Sequence, residues 1–366
     1  MRVSLASLFM AAVLSPIFLA ASAQAQTQRE PLRSPFDVAA AREARGQPAG
    51  HFSCPSAPKG IKDVEFGGYY ADRGSGSSVV DKAAEAAYRE ATRAINKFQA
   101  DLTVMADRYT VSKPADAKFA ACALDWLAEW AAIEAMLGKA NDQGGYVRKW
   151  ALATLSASYL KVRDEPALDP AKKQAVEAWI KRYANIVYRD YDPEQKESRR
   201  NNHVYWAAWS VGLASVVLDD KKLFDWSMGK ARLGLRQVTA EGILPLELGR
   251  KSRAYHYHVF AAAPLVMVAE LGLRNGVDLY AERDGALKRL VALVIANFED
   301  ESFFAQKTGV KQDRASSSKA IHFPWLEPYY AHTRDPAAVK VLAKLRPMRE
   351  TRVGGDLTMY YGVALP

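Results

Sequence analysis

From Val79 as far as about residue 298, apolar residues recur at helical spacing and almost nothing interrupts them. Ala84, Tyr88, Ala91, Ile95, Phe98, Leu102 and Met105 step by four and three in alternation, which places them on one face of a long amphipathic helix. A second helix is expected over 115–137, with Leu124, Leu127, Trp130, Ala131 and Met136 inside. A third runs from about Tyr146 to Val162, with Ala151, Leu155, Tyr159 and Val162 on one face. Pro170 suits the first turn of a fourth. Further helices fall near 202–218, 221–239, 253–273 and 283–298, with breaks at Gly138, in 164–170, at Gly242 and at Asn275-Gly276. No run of alternating residues marks strands between them. The expectation is an all-α chain of consecutive antiparallel helix pairs. Such pairs can curl into an incomplete α/α toroid with a central cleft, or extend as a solenoid.

The segment ahead of the helices is of another kind. Arg2 precedes a mostly apolar stretch, Val3 to Ala20, that Pro16 interrupts. Ala21-Ser22-Ala23 and Ala23-Gln24-Ala25 are both A-x-A cleavage sites, so residues 1–25 read as a signal peptide. No other stretch reads as long and apolar enough to span a membrane. The expectation is an exported, periplasmic monomer without membrane insertion. Residues 26–60, rich in Pro, Ala, Arg and Ser, show no steady period and read as an extended arm. Residues 61–366 then form the helical domain. It is entered through a loop, 64–78, in which glycines bracket Tyr69 and Tyr70, a composition suited to closing over something. The formal net charge of +9 points to an anionic partner. Export argues against nucleic acid and leaves an acidic polysaccharide or a membrane surface. The chain has two cysteines, Cys54 and Cys122. Parity and an oxidising compartment suggest one disulfide; the other reading is a buried free thiol at Cys122.

Two segments hold residues of chemical interest. In Asn201-Asn202-His203-Val204-Tyr205-Trp206, an asparagine before an apolar period is a helix N-cap signal. His203 then falls in the first turn, where the helix dipole disfavours imidazolium and keeps a ring able to accept a proton. In the segment from Arg250 to His258, Arg250, Arg253 and Tyr257 are spaced by three and four, so on one helix they share a face. Guanidinium groups there would stabilise a phenolate. His256-Tyr257-His258 also has the form of a metal-binding pair, but no ligand set of recognisable spacing accompanies it, and no metal or other cofactor is expected.

Asn-Asn-His-x-Tyr-Trp, followed by Leu-Pro-x-Glu and Arg-x-x-Arg-Ala-x-x-Tyr-His, resembles the alginate lyases of polysaccharide lyase family 5. The segments Ala121–Trp126, Val147–Trp150, Trp325–Tyr329 and Arg352–Thr358 are similar in kind, and in order they cover roughly Cys54 to Thr358. The resemblance implies an incomplete α/α toroid and metal-independent β-elimination on a polyuronate. It implies that Asn202 and Arg250 hold the uronate carboxylate and that His203 and Tyr257 are the proton-transfer pair. It also implies that Tyr69 and Tyr70 belong to a lid, and that Gln143, Arg148, Arg253, His256 and Arg352 bind substrate. The two cysteines match a pair that some members bridge. Some alginate-restricted members carry a lysine where this chain has Tyr69. The lid here, with His256 beside Tyr257, looks more like the branch that accepts several polyuronates.

Two other readings use the same residues differently. Glycoside hydrolysis would need two carboxylic acids flanking the cut bond, and Asp125, Glu129 and Glu247 are available for it. A non-catalytic periplasmic polysaccharide-binding or export factor would need the basic cleft but not Tyr257.

Overall fold

Capping side chains set where seven of the first eight helices begin. Asp37, Asp81, Asp116, Asn141, Asp169, Asn201 and Asp220 each accept a backbone N–H from the turn that follows. The computed structural model describes residues 29–72, 77–194, 196–313 and 319–366. The expected leader, 1–25, lies outside them, as do residues 73–76 of the loop. The helices are α1 (Val38–Arg45), α2 (Lys82–Ala91), α3 (Arg93–Val111), α4 (Ala117–Ala132), α5 (Asp142–Val162), α6 (Pro170–Tyr191), α7 (Asn202–Leu218) and α8 (Lys221–Gln237). They continue as α9 (Pro245–Leu248), α10 (Ala254–Arg274), α11 (Ala286–Ala296), α12 (Ser302–Thr308), α13 (Leu326–Thr333), α14 (Ala337–Leu345) and α15 (Leu357–Tyr361). A two-residue antiparallel pair, Arg349–Glu350 with Gly355–Asp356, is the one sheet among the described residues.

The helices form an α/α toroid. α3, α5, α7 and α10 pack on one another in succession as the inner layer, while α4, α6, α8 and α11 cover them. Burial separates the layers. α6 buries one stripe, from Val176 to Tyr191, whereas in α7 every residue except His203 and Leu218 is buried. A helix that is apolar all round has to be surrounded, and α7 is enclosed by α5, α6, α8 and α10. Close approach there relies on Gly212, where a Cβ would come within 2.6 Å of Ser227 Oγ and 2.8 Å of Leu271 Cδ2. The stretch Lys251–Arg274 is long and apolar enough to cross a membrane, contrary to the sequence reading, yet 83% of its apolar 18-residue window is buried in the protein. It is a core helix of the inner layer.

Two further expectations are corrected. The single long helix after Val79 is two, because Thr92 turns its hydroxyl onto the carbonyl of Tyr88 at 2.9 Å and the chain kinks there. Ala91 is exposed as a result, while Ile95, Phe98, Leu102 and Met105 are buried. The arm is not wholly extended either. Its alanine-rich stretch forms α1, held to the end of α3 by Arg42, which donates to the carbonyls of Tyr109 and Thr110. The rest of the arm runs along α4, where Trp126 and Trp130 donate to the carbonyls of Pro55 and Pro58.

Cys54 and Cys122 are joined, their Cα atoms 5.6 Å apart, which fixes the arm to α4 across 68 residues of chain. Replacing both with alanine is expected to lower stability by about 2–4 kcal/mol in denaturant unfolding. Thiol titration of the unreduced, denatured protein should find no free thiol.

Candidate functional site

The N-terminal ends of α5, α7 and α10 meet around a cavity of about 610 Å³. The loop of Tyr69 and Tyr70 lies over it, and His322 and Arg352 close the far side. Helix N-termini carry partial positive charge, so three of them facing one space favour an anion there. Tyr69, Tyr70, Gln143, His203, Arg250, Arg253, His256, Tyr257 and Arg352 all line the cavity, as expected. Asn202 and Arg148 do not.

Arg250 and Arg253 are not on one α-helix with Tyr257. Lys251 has φ +51°, a left-handed conformation that breaks the helical path, and a 3-10 turn, Lys251–Arg253, precedes α10. The break lets Arg250 fold back over the ring face of Tyr257, with Cζ 3.5 Å from the ring centroid. Arg253 Nη1 donates to Tyr70 Oη at 2.6 Å, and Tyr70 and Tyr257 share a hydroxyl–hydroxyl hydrogen bond of 2.8 Å. Burial, and then the adjacent Tyr257, hold the Tyr70 phenol protonated well above its ordinary range. In the Tyr70–Tyr257 pair either hydroxyl can be the donor. The hydrogen bonds run from Arg253 through Tyr70 to Tyr257. The loop is also fixed by Arg250 Nη2, which donates to the Ser77 carbonyl at 2.8 Å, and by the Tyr69 ring against Tyr88 of α2.

On the opposite wall, Asn201 is the N-cap, accepting from His203 N at 3.0 Å. The His203 ring stacks flat on Tyr146, centroids 3.8 Å apart, and its Nδ1 lies 3.1 Å from Lys149 Nζ. Burial first, and then the nearby Lys149, Arg250 and Arg199 side chains, hold this imidazole well below its ordinary pKa, so the ring is neutral. Asn202 points away from the cavity. Its backbone N–H and Nδ2 donate to the Glu247 carboxylate at 2.7–3.0 Å, and its Oδ1 has no partner. The expectation that Asn202 faces a uronate carboxylate is therefore corrected: its donors are already committed. Burial raises Glu247 to about 7, against the pull of Arg250.

Arg148 is also corrected. It is buried, with Nε donating to Met136 O at 2.8 Å and Nη2 to Gly138 O at 2.6 Å, so it braces the turn after α4. It is unavailable to a ligand. His258 likewise belongs to the core: Nδ1 bonds to Ala254 O, and Nε2 accepts from Leu244 N. Asp125 pairs with Lys172 at the surface, Glu129 is exposed and Glu247 is behind the wall, so none of the three flanks the cleft. Sequence reasoning missed Tyr146, Trp150 and His322 as lining residues and Lys149 as a partner of His203. Tyr146 and Trp150 fall on the opposite side of α5 from its recognised apolar face, which is a signal that an inner helix has two buried sides.

The alginate lyase family model matches residues 68–304. An alginate lyase of Cobetia marina is 40% identical over 66% of this chain and 66% of its own length. One of Pseudomonas syringae pv. tomato is 35% identical over 85% and 83%, and a polysaccharide lyase of Stenotrophomonas maltophilia 36% over 84% and 90%. Among solved structures, alginate lyase A1-III complexed with a tetrasaccharide superposes with a TM-score of 0.80, at 21% identity, over 92% of this chain and 98% of that one. That likeness carries the fold. Together with the relatives in sequence, it defines a polysaccharide lyase of the toroid class, acting on an anionic polysaccharide. The chain belongs to the alginate lyase family. A non-catalytic binding or export factor finds no support in these likenesses.

The Asn202–Glu247 contact makes a prediction. Glu247→Leu leaves two buried donors unmatched and should cost about 1–3 kcal/mol, whereas Glu247→Gln keeps an acceptor and most of the stability. Because the folded carboxyl sits near 7 and the unfolded one near 4.5, ionising it opposes folding. Wild type should therefore lose stability relative to Glu247→Gln as pH rises from 4.5 to 7, measured by urea midpoints.

Proposed function

We propose that this chain depolymerises a polyuronate of the alginate type, with mannuronan its preferred polymer, by metal-independent β-elimination. The observation that supports this most is the chain of hydrogen bonds from Arg253 through Tyr70 to the Tyr257 hydroxyl, with Arg250 across the same ring. A uronate has an acidic proton at C5, beside its carboxylate. Removing it adds negative charge to a group already negative. Arg250 and the three helix ends offset that charge and stabilise the enolate. Tyr257 takes the C5 proton, the C4–C5 double bond forms, and the C4–O4 bond breaks as O4 is protonated. In mannuronate and glucuronate the C5 proton and O4 lie on the same side of the ring, so Tyr257 serves as base and then as acid. In guluronate they lie on opposite sides and two residues are needed. Asn202 acts from behind, holding the start of α7 in place through Glu247.

Mannuronan and glucuronan differ only at C2, and a cleft that reads C5 and C6 separates them weakly. The Gly67-Gly68-Tyr69-Tyr70 loop with His256 supports acceptance of both, and of hyaluronan to a lesser degree. Gln143, His256 and Arg352 serve as contacts to the sugar, Arg352 from its place 4.4 Å over the Trp150 ring. The enzyme works in the periplasm as a soluble monomer, exported by the leader 1–25. The A-x-A sites and the Cys54–Cys122 bridge support this.

Elimination creates a double bond conjugated to the carboxylate, so ultraviolet absorbance on a panel of mannuronan, guluronan, glucuronan and hyaluronan reads the reaction directly. Rates should be highest on mannuronan. Tyr257→Phe should lose about 10²–10⁴-fold or more, because one residue supplies both proton transfers. His203→Ala should be slowed through a different route, and both variants should keep their helical circular dichroism. Wild-type rates for Tyr257→Phe on mannuronan and glucuronan would sink the assignment. Polymer binding should weaken steadily with salt, since exposed charges are screened beyond about 8 Å at physiological ionic strength.

A further inference from the structure

Lys149 is fully buried on α5, and no ion pair among the described residues includes it. Lys161, further along the same helix, is as deeply buried but holds Asp107 at 2.6 Å. Around Lys149 Nζ there is no such anion. Its own helix contributes Tyr146 and Trp150, each with its ring centroid 4.4 Å away. α6 contributes Tyr191 at 5.3 Å, α7 contributes His203, and cations approach from two more sides. Arg199, in the turn before α7, covers the ring of Tyr191, and Arg352 covers Trp150. Every charged neighbour is thus a cation. The strongest hydrogen-bonding contact of Nζ is the one to His203 Nδ1, at 3.1 Å.

We propose that Lys149 is a positioning residue of the lyase site, fixing through Nζ the tautomer of His203 in which Nδ1 carries the proton and Nε2 turns its lone pair to the cleft. The argument is one of donors and acceptors. A buried ammonium ringed by cations is unfavourable, and burial, with Arg199 and Arg352, drives this amine well below its ordinary pKa. A neutral amine has two N–H groups, which the faces of Tyr146 and Trp150 receive, and one lone pair, which accepts from Nδ1–H. A neutral imidazole carries a single proton, so Nε2 is left as the acceptor. His203 lines the cavity and, among the described residues, Nε2 has no protein partner. An acceptor in that wall can receive a proton from the sugar or from the Tyr257 hydroxyl. It cannot donate to the uronate carboxylate, which is left to Arg250 and the helix ends.

This inference rests on the lyase reading for its meaning, but its test does not. Nitrogen-15 spectra of the six histidines, with His203 assigned by its loss in His203→Gln, report which ring nitrogen is protonated. Wild type near neutral pH should show His203 with Nδ1–H. Lys149→Arg has only donors to offer and should turn the ring to Nε2–H. Lys149→Met has no donor and only the weak acceptor of a thioether, and should leave a mixture. On oligomannuronate, Lys149→Met should lower kcat by about 10²-fold, the lower end of what an acid–base group is worth, with KM little changed. An Nε2–H tautomer in wild type, or the wild-type tautomer persisting in both variants, would overturn the assignment. Loss of the lyase reading would show separately, as wild type inactive on every polyuronate.

Discussion

Everything in this protein is arranged around α7, a helix that cannot face water on any side. Four helices enclose it, and along its length only His203 and Leu218 escape burial. Inside such a helix, side-chain polar groups gain by bonding within the protein, as Ser210 and Ser215 do with carbonyls one turn back. The end of the helix is different. Its first N–H groups have no partners in the helix, and the chain supplies them with Asn201 and Glu247. The carboxylate that completes α7 belongs to α9, three residues before Arg250. One buried contact therefore sets the register between the two segments that carry His203 and Arg250, although 45 residues separate Asn202 from Glu247.

Much of this architecture is legible in the order of residues. Periodicity found the long helices, Pro170 and Asn275-Gly276 marked real boundaries, and a cap at one of Asn201 and Asn202 was readable from the residue type, the fold choosing Asn201. The short helices after residue 298 left no periodic signal, because five to nine residues span at most about two and a half turns. The kink at Thr92 escaped because the apolar rhythm continues straight across it. α1 escaped because a stretch of eight residues within a Pro-rich arm has no room to show a period.

The site was legible by type more than by direction. Residue patterns brought Arg250, Arg253 and Tyr257 together, and the fold does so too, but through a left-handed Lys251 that no spacing rule encodes. Asn202 and Arg148 are polar residues beside a cleft, and both spend their donors inward. Which way an inner-helix side chain points depends on which of two neighbours it meets, and a single sequence does not hold that information locally. Lys149 was invisible for the same reason. A lysine between Arg148 and Trp150 reads as a solvated residue until the helix it sits on proves to have no solvated side.

The hydroxyl pair of Tyr70 and Tyr257 has a consequence for the resting enzyme. As the loop lies, Tyr70 holds the oxygen to which the proposed elimination assigns the proton transfers. A polymer chain that slides in must part these two hydroxyls to reach the ring behind them. Admission of the sugar and release of the reactive oxygen are then a single event.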